Sequence, residues 1–164
     1  SIARGELEFS IESLLRKYDR YRIRGFEYKG LVLRVNSIHT YFDSTMQLMN
    51  DKVRKELFSS GLPVYTKVKD EAPALYLEDC KVGNSIVSDG CRILGTVNNS
   101  MLFRGITVSK NAVIKNSIIF QNVYISEGCE LENVIIDKDC VIRPGVKLVG
   151  QADYPVVIGK GAIV

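Results

Sequence analysis

Histidine is nearly missing from the sequence: the 164 residues contain one, His39, and none follows it. Cysteine is sparse too, with four residues and no Cys-x-x-Cys pair. Zinc sites need cysteine and histidine at short, regular spacings, so this distribution argues against such a site. We therefore predict no metal in this chain. We expect four reduced cysteines packed as small core residues, and a position on a helix surface for His39.

Long apolar runs and a strong charge of one sign are missing as well. No apolar stretch approaches the roughly 20 residues that a membrane span requires. The first residues, "SIARGELEFS", lack the apolar region of a signal peptide. The net charge of +3 is mild and forms no basic stripe. We predict a cytoplasmic protein that binds neither a membrane nor nucleic acid. Because the chain starts at Ser1, without methionine, we expect a fragment of a longer protein.

A repeat occupies the residues after position 80. Four related stretches each begin with an asparagine: "NSIVSDGCRI", "NSMLFRGITV", "NSIIFQNVYI" and "NVIIDKDCVI" start at Asn84, Asn99, Asn116 and Asn133. The last three asparagines are 17 residues apart, whereas the first interval is 15. Within the repeat, branched apolar residues return about every six positions, and small residues often follow them four places later. The branched series includes Val108, Ile114, Ile119, Ile125, Leu131, Ile136, Ile142 and Leu148, and the small residues are Ala112, Cys129, Cys140 and Ala162.

A six-residue period is typical of a left-handed parallel β-helix, in which three sides close one triangular coil. The branched side chains fill the triangle, and each coil buries its apolar stripe by stacking on the next coil. Glycine and asparagine suit the corners because they tolerate left-handed backbone angles. We predict that residues 81–164 form this β-helix and that the four aligned asparagines stack as a ladder at one corner. A polar ligand site is the alternative for these asparagines.

The residues before the repeat divide into two parts. Residues 61–80 have the breakers of a connector, and residues 1–60 mix helix and strand patterns. Apolar spacing predicts a helix from Leu7 to Tyr18, followed by strands in "YRIRGFEY" and "GLVLRV". Ser37 is a suitable N-cap for a second helix, and "DKVRKELF" predicts a third. The fold class is therefore mainly β, with a small α/β segment ahead of a single-stranded β-helix.

The segment "GFEYKGLVLRVNSIHTYFDSTMQLMN" resembles the end of the nucleotidyltransferase domain of bacterial glucose-1-phosphate adenylyltransferase. That family reads roughly G-Y-W-x-D-V-G-T-I-x-x-Y-x-x-A-N-M-x-L here, followed by a connector and a hexapeptide repeat. The matching residues are Gly30, Val35, Ile38, Tyr41, Met46 and Leu48. The resemblance implies that residues 1–60 are the C-terminal end of a nucleotidyltransferase-like domain. It also implies that Tyr41 and Phe42 are core residues packed against the rest of that domain.

One departure from the family pattern bears on catalysis. Arg34 stands where the family has an aspartate that helps to hold the divalent metal, and no glycine-rich phosphate loop occurs in these residues. Phosphoryl transfer depends on a metal that neutralises phosphate charge, and a guanidinium group repels such an ion. The resemblance therefore implies a regulatory-type subunit without catalytic residues or cofactor. Mg²⁺ and ADP-glucose synthesis for glycogen would belong to a catalytic partner subunit. A solvated arginine in an enzyme that places its metal elsewhere is the alternative.

Three lysines are candidate effector ligands. Lys138 in "IIDKDCVI" matches a lysine that helps relatives to bind phosphorylated effectors. Lys67 and Lys69 in the connector could contact a phosphate bound between domains, and an ammonium group suits an anion by charge. Solvated surface lysines without a ligand are the alternative for all three.

Partners follow from the resemblance, since the family is tetrameric. We expect a hetero-oligomer with a catalytic adenylyltransferase subunit, and a phosphorylated metabolite as a possible effector. A homodimer of the fragment through exposed apolar faces at Met101–Phe103 and Ile118–Phe120 is a further hypothesis.

Other functions stay open at this point. One is a catalytically active sugar-phosphate nucleotidyltransferase with a divergent motif, and another is a hexapeptide acyltransferase. Acyltransferases of this fold usually use a histidine base and its carbonic anhydrases bind zinc through histidines, whereas this repeat has no histidine. A plain scaffold module without an effector site is the third alternative.

Overall fold

The structure is a computed structural model that describes residues 22, 24–58, 61, 64–66 and 69–164. The helix predicted from Leu7 to Tyr18 lies outside these residues. Residues 31–164 form one compact unit, and residues 1–30 cluster separately. The predicted division at residues 60 and 80 stays a prediction, although the first strand of the β-helix begins at Leu75, within the stretch read as a connector.

Within the part of the chain that the structure describes, two helices precede the β-helix: α1 (Ile38–Gln47) and α2 (Asp51–Phe58). Ser37 is the N-cap of α1, as predicted. Its hydroxyl accepts a hydrogen bond from the Thr40 amide at 3.1 Å, and its own amide donates to the Thr40 hydroxyl at 3.0 Å. This reciprocal pair satisfies two backbone donors that a helix start would otherwise leave unpaired. His39 lies on the exposed side of α1, 3.2 Å from Asp43, as predicted.

The two strands predicted ahead of α1 are not formed. The described residues of "YRIRGFEY" and "GLVLRV", which are 22, 24–28 and 30–35, contain no strand. Their apolar and branched composition favours extended backbone, but a strand also needs a neighbour that pairs with its amides and carbonyls. The described amide hydrogen bond of Leu31 goes instead to the Glu56 carboxylate of α2, at 2.6 Å.

The described residues form fifteen short strands in three parallel sheets of five strands, so the predicted β-helix is confirmed. Sheet 1 contains β1 (Leu75–Tyr76), β4 (Arg92–Ile93), β7 (Thr107–Val108), β10 (Tyr124–Ile125) and β13 (Val141–Ile142). Sheet 2 contains β2 (Lys81–Gly83), β5 (Thr96–Asn98), β8 (Val113–Lys115), β11 (Glu130–Glu132) and β14 (Lys147–Val149). Sheet 3 contains β3 (Ile86–Val87), β6 (Met101–Leu102), β9 (Ile118–Ile119), β12 (Val134–Ile136) and β15 (Val156–Ile158).

Consecutive strands belong to different sheets, so each coil contributes one strand to each side of a triangular prism. The registers confirm the 17-residue repeat: Ile114 pairs with Leu131, and Ile119 pairs with Ile136. A step of 15 occurs once along each sheet near the start, as in Val82 with Val97 on sheet 2 and Arg92 with Thr107 on sheet 1. The arrangement agrees with the left-handed hexapeptide β-helix that the sequence predicts.

The prism interior is the main core, and the predicted inward series is confirmed. The branched and small residues of the six-residue period all belong to this one cluster, which they share with other apolar residues such as Ile93 and Val97. Cys91, Cys129 and Cys140 are buried and Cys80 is partly buried, and all four are free thiols. Burial raises the pKa of the Cys91 and Cys129 thiols above the ordinary cysteine value, so both stay protonated at neutral pH.

The predicted asparagine ladder is also confirmed. Asn84 donates through Nδ2 to Asn99 Oδ1 at 2.7 Å, Asn99 donates to Asn116 at 3.0 Å, and Asn116 donates to Asn133. The last amide donates to the Gly150 carbonyl at 3.0 Å. The four asparagines have φ between 41° and 52°, the left-handed region that asparagine tolerates better than most residues.

A second ladder runs beside the first and was not predicted. The hydroxyl of Ser85 accepts from the Ser100 amide at 3.2 Å, and that of Ser100 accepts from the Ser117 amide at 3.1 Å. The Ser117 hydroxyl accepts from the Val134 amide at 3.3 Å, and the ladder ends there because Val134 has no hydroxyl. The repeated Asn-Ser dipeptide in the sequence was the available signal.

Candidate functional site

Arg34 lies on the exposed chain ahead of α1. Its carbonyl accepts a hydrogen bond from the hydroxyl of Ser44, a buried residue of α1, at 3.3 Å. Among the described residues, no group of three His, Cys, Asp or Glu side chains is placed to hold a metal ion. A guanidinium group carries a permanent positive charge and has no acceptor for a cation, so this position does not fit Mg²⁺.

Helix α1 packs on the outer face of sheet 3. Phe42 is 3% exposed and forms a second apolar cluster with Ile118 (0%) and Ile135 (6%). These two isoleucines point outward from β9 and β12, whereas Ile119 and Ile136 beside them point into the prism. Sheet 3 is therefore apolar on both faces around these coils, and α1 covers its outer face.

This contact corrects two expectations. The apolar faces at Met101–Phe103 and Ile118–Phe120 are not exposed, because Met101, Leu102, Ile118 and Ile119 are buried, and Phe103 and Phe120 pack against the cluster around Phe42. Phe42 is a core residue as expected and Tyr41 is partly buried beside it, but the surface they contact is the β-helix. An apolar pattern in the sequence shows that a face is covered without showing which element covers it.

Three aromatic rings extend this interface. Phe103 and Phe120 lie in neighbouring coils with ring centroids 4.9 Å apart and nearly parallel planes. Tyr41 of α1 stacks on Phe120 at 6.4 Å. Burial raises the pKa of Tyr41 above the ordinary tyrosine value, a hydrogen bond with Thr45 opposes this, and the Asp137 carboxylate raises the pKa further. Tyr41 is therefore a neutral phenol whose surroundings include the charge of Asp137.

Lys138 is exposed at the corner that follows β12. Its amide donates to the Asp137 carboxylate at 2.7 Å, and its carbonyl accepts from the Gly161 amide at 2.9 Å. Asp137 and Asp139 flank it, and Asp139 is also 3.8 Å from Lys160. Lys138 is accessible to an anion, but the two carboxylates reduce the positive potential around it.

Lys69 lies near the first coils and forms an ion pair with Glu71. The hydrogen bond from Lys69 holds the pKa of the Glu71 carboxyl below its usual value, and the charge of Arg104 contributes to this. Lys67 lies outside the described residues. Lys69 is thus engaged in an ion pair, and its role as a phosphate ligand stays a prediction.

One corner of the prism nonetheless connects the surroundings of Lys69 with Lys138. Backbone hydrogen bonds join neighbouring coils at this corner. The Asn122 amide donates to the Arg104 carbonyl at 3.0 Å, and the Asp139 amide donates to the Gln121 carbonyl at 3.0 Å. Arg104, Gln121 and Lys138 therefore occupy equivalent places in three successive coils. At about 4.8 Å per coil, Arg104 and Lys138 are on the order of 10 Å apart along the backbone.

Neither described helix exceeds ten residues, so no described helix is long enough to cross a membrane.

Comparison with known proteins adds an independent line of support. Residues 73–153 match the family described as GlmU-like, C-terminal hexapeptide. The chain is 41% identical over 138 residues to the glycogen biosynthesis protein GlgD of Bacillus subtilis, which covers 84% of this chain and 40% of that protein. It is 53% identical over 120 residues to GlgD of Geobacillus stearothermophilus, and this match covers 73% of this chain and 35% of that protein.

Similarity to an enzyme is lower. The glucose-1-phosphate adenylyltransferase of Thermosipho africanus is 35% identical over 94 residues, which covers 57% of this chain and 23% of the enzyme. The chain therefore spans less than half the length of each of these relatives. The resemblance predicted from the segment around Arg34 and from the repeat is confirmed: the chain is a hexapeptide-repeat relative of the GlgD glycogen biosynthesis proteins and, at lower identity, of glucose-1-phosphate adenylyltransferases.

Proposed function

We propose that this chain is the regulatory and assembly part of a glucose-1-phosphate adenylyltransferase system, and that it supports ADP-glucose synthesis for glycogen in the cytoplasm without catalysing it. The observation that carries the proposal is Arg34, a permanent cation at the place where the resemblance expects a metal-holding carboxylate. Identity to two proteins named for glycogen biosynthesis exceeds identity to the adenylyltransferase of Thermosipho africanus, which supports a non-catalytic role.

The proposed partner is a catalytic adenylyltransferase subunit, which would supply the Mg²⁺ site. The chain's contribution would be a rigid parallel β-helix that presents three sheet faces, two of which carry no described helix. The outer face of sheet 2 bears charges of both signs: Lys115 pairs in register with Glu132, and Glu130 forms an ion pair with Lys147. Charged faces of this kind set partner choice and orientation more than affinity.

The experiment compares the full-length protein alone with the protein mixed with a catalytic subunit from the same organism. We expect no ADP-glucose formation from ATP and glucose 1-phosphate by the protein alone, co-elution of the two proteins, and a changed kcat of the catalytic subunit. Mg²⁺-dependent turnover by the protein alone, at a rate near that of the catalytic subunit, would overturn the non-catalytic role. Failure to co-elute with the catalytic subunit and to change its kcat would overturn the assembly role.

We also propose that an anionic effector contacts Lys138. Its exposure and its position on the same corner as Arg104 support this. Inorganic phosphate is the probe, and the change in kcat of the mixed proteins is the measurement. Lys138→Gln should reduce the response to phosphate, whereas Lys110→Gln, which changes an exposed lysine at the corner between sheets 1 and 2, is the matched control and should not. Equal responses in both variants would exclude Lys138 as the ligand.

A second candidate function is a catalytically active nucleotidyltransferase, which the similarity to the Thermosipho africanus enzyme favours. The same assay of the protein alone decides between the two. A hexapeptide acyltransferase has no such support, and we expect no binding of acetyl-coenzyme A in a calorimetric titration.

A further inference from the structure

The chain around Arg34 is held by α1 and by no strand among the described residues. The Arg34 carbonyl accepts from Ser44, and the amides of Asn36 and Ser37 both donate to the Thr40 hydroxyl, at 3.1 and 3.0 Å. These partners belong to α1, so the order of residues 34–37 depends on the position of that helix.

Helix α1 is held in turn by one face of the β-helix. The contact consists of Phe42 against Ile118 and Ile135, and of Tyr41 against Phe120. An isolated helix of ten residues is marginal in water, so α1 depends on this packing for its stability. Loss of this packing would leave α1 without its main stabilising contact, so the outer isoleucines bear on whether the helix stays formed.

The contact continues to the corner of Lys138. Tyr41 and Ile135 bring α1 against the coil that contains Asp137, whose carboxylate accepts the hydrogen bond from the Lys138 amide. Groups that alter the shape or charge of residues 135–138 thus act on the surface to which α1 binds. Coupling between two regions needs an element that both regions contact and whose stability both can change, and α1 contacts both.

We propose that α1 couples residues 135–138 of the β-helix to residues 34–37, so that the coil controls how well the segment around Arg34 is ordered. Phe42 and Ser44 are then positioning residues for that segment. This inference concerns contacts within the chain, and it holds whether or not the proposed assembly with a catalytic subunit is correct.

Neighbouring isoleucines supply a matched pair of variants. Ile135 faces α1 and Ile136 faces the prism, and both are isoleucines of β12. Amide hydrogen exchange is measured by NMR in Ile135→Ala, Ile136→Ala and the wild-type protein. We expect Ile135→Ala to accelerate exchange of the α1, Asn36 and Ser37 amides by about tenfold or more, with β7 and β10 within about twofold of wild type. Ile136→Ala should instead accelerate exchange in the strands of the surrounding coils.

Two results would overturn the proposal. One is an Ile135→Ala protein in which the Asn36 and Ser37 amides exchange within about twofold of wild type. The other is an Ile136→Ala protein with acceleration confined to α1 and residues 36–37. Should the alanine variants fail to fold, Ile135→Val and Ile136→Val provide the same contrast, with a smaller acceleration expected in the same amides.

The reverse direction gives a second measurement, because coupling between two regions is reciprocal. Phe42→Ala removes the ring that contacts Ile135 and should accelerate exchange of the Asp137 amide, which donates to the Ile158 carbonyl at 2.9 Å. Val97, in the prism interior away from α1, provides the control: Val97→Ala should leave exchange of the Asn36 and Ser37 amides near the wild-type rate, whereas Phe42→Ala should accelerate it. An unchanged Asp137 amide in Phe42→Ala would contradict the coupling.

Discussion

The β-helix and the helical segment ahead of it bury their apolar residues in different ways. In the β-helix, an inward residue such as Ile114 is enclosed by the other two sides of its coil and by the coils above and below. In the helical segment, Phe42 is buried by one sheet face alone, while Val35, Ile38 and Phe58 stay largely exposed. Apolar residues thus form a cooperative core in the β-helix, whereas those of the helical segment make a single docking contact with one sheet face.

Truncation in the prism interior should have the largest effect. Ile114 is fully buried between Val97 and Leu131 of the neighbouring coils. Ile114→Ala should lower the free energy of unfolding by about 2–5 kcal/mol, since it removes buried apolar contacts and leaves a cavity. Urea denaturation followed by circular dichroism measures this loss. A change below about 1 kcal/mol would show that the coils close around the cavity, contrary to a tightly packed prism.

A shortened corner provides a second test within the β-helix, since only Leu94 and Gly95 separate β4 from β5, whereas four residues separate β7 from β8. A Cβ added at Gly95 would lie 2.8 Å from the Ser109 carbonyl oxygen and closer still to that of Ala112. Gly95→Ala should therefore reduce the unfolding free energy by about 1–3 kcal/mol through overpacking. Gly159 has open space around it, so Gly159→Ala is the matched control and should change stability far less. Equal stabilities for the two variants, measured by urea denaturation, would argue against a close approach at Gly95.

The middle of the asparagine ladder should matter less than the interior. Asn116→Ala removes two side-chain hydrogen bonds and leaves a residue with a φ of 45° that alanine adopts reluctantly, so we expect a loss of about 2 kcal/mol. Asn116→Gly removes the same hydrogen bonds but relieves the backbone angle, and it should lose about 1 kcal/mol. Thermal unfolding of both variants separates the two contributions. A glycine variant less stable than the alanine variant would rule out a cost from the backbone angle.

The cap of α1 should have the smallest effect on the whole chain. Ser37→Ala removes the hydroxyl that accepts from the Thr40 amide and should destabilise α1 by about 1 kcal/mol. The loss should appear as faster exchange of the α1 amides, with the denaturation midpoint of the β-helix unchanged, because α1 can open alone. Ser37→Asp retains an acceptor and is the control. A lower midpoint for the β-helix in Ser37→Ala would show that the two regions unfold together.

The sequence predicts the β-helix well because its constraints are local and repeated. Each coil needs the same inward stripe and the same corner angles, so Ile119, Asn116 and their counterparts recur at a fixed interval. The N-cap at Ser37 and the helix at Asp51–Phe58 were predictable for a related reason, since caps and amphipathic spacing are properties of a few neighbouring residues.

The interface between the two regions was not predictable in the same way. Ile118 and Ile135 alternate with inward residues, and their composition indicates only that something covers them. Phe42 lies more than 70 residues away in sequence, so no local pattern connects it with them. The candidate site was predicted as single residues, Arg34 and Lys138. The structure adds the hydrogen bonds and packing that connect the surroundings of Arg34 with those of Lys138.

The asparagine ladder has a direction. Each of the four asparagines donates its side-chain amide toward the later coil, the three after Asn84 accept from the earlier coil, and the last amide donates to the Gly150 carbonyl. Because successive asparagines have equivalent partners, duplicating or deleting a coil between Asn99 and Asn133 would leave every side-chain amide of the ladder with an acceptor. The length of such a protein can therefore change during evolution in whole steps of one turn, while changes of a few residues are confined to the corners.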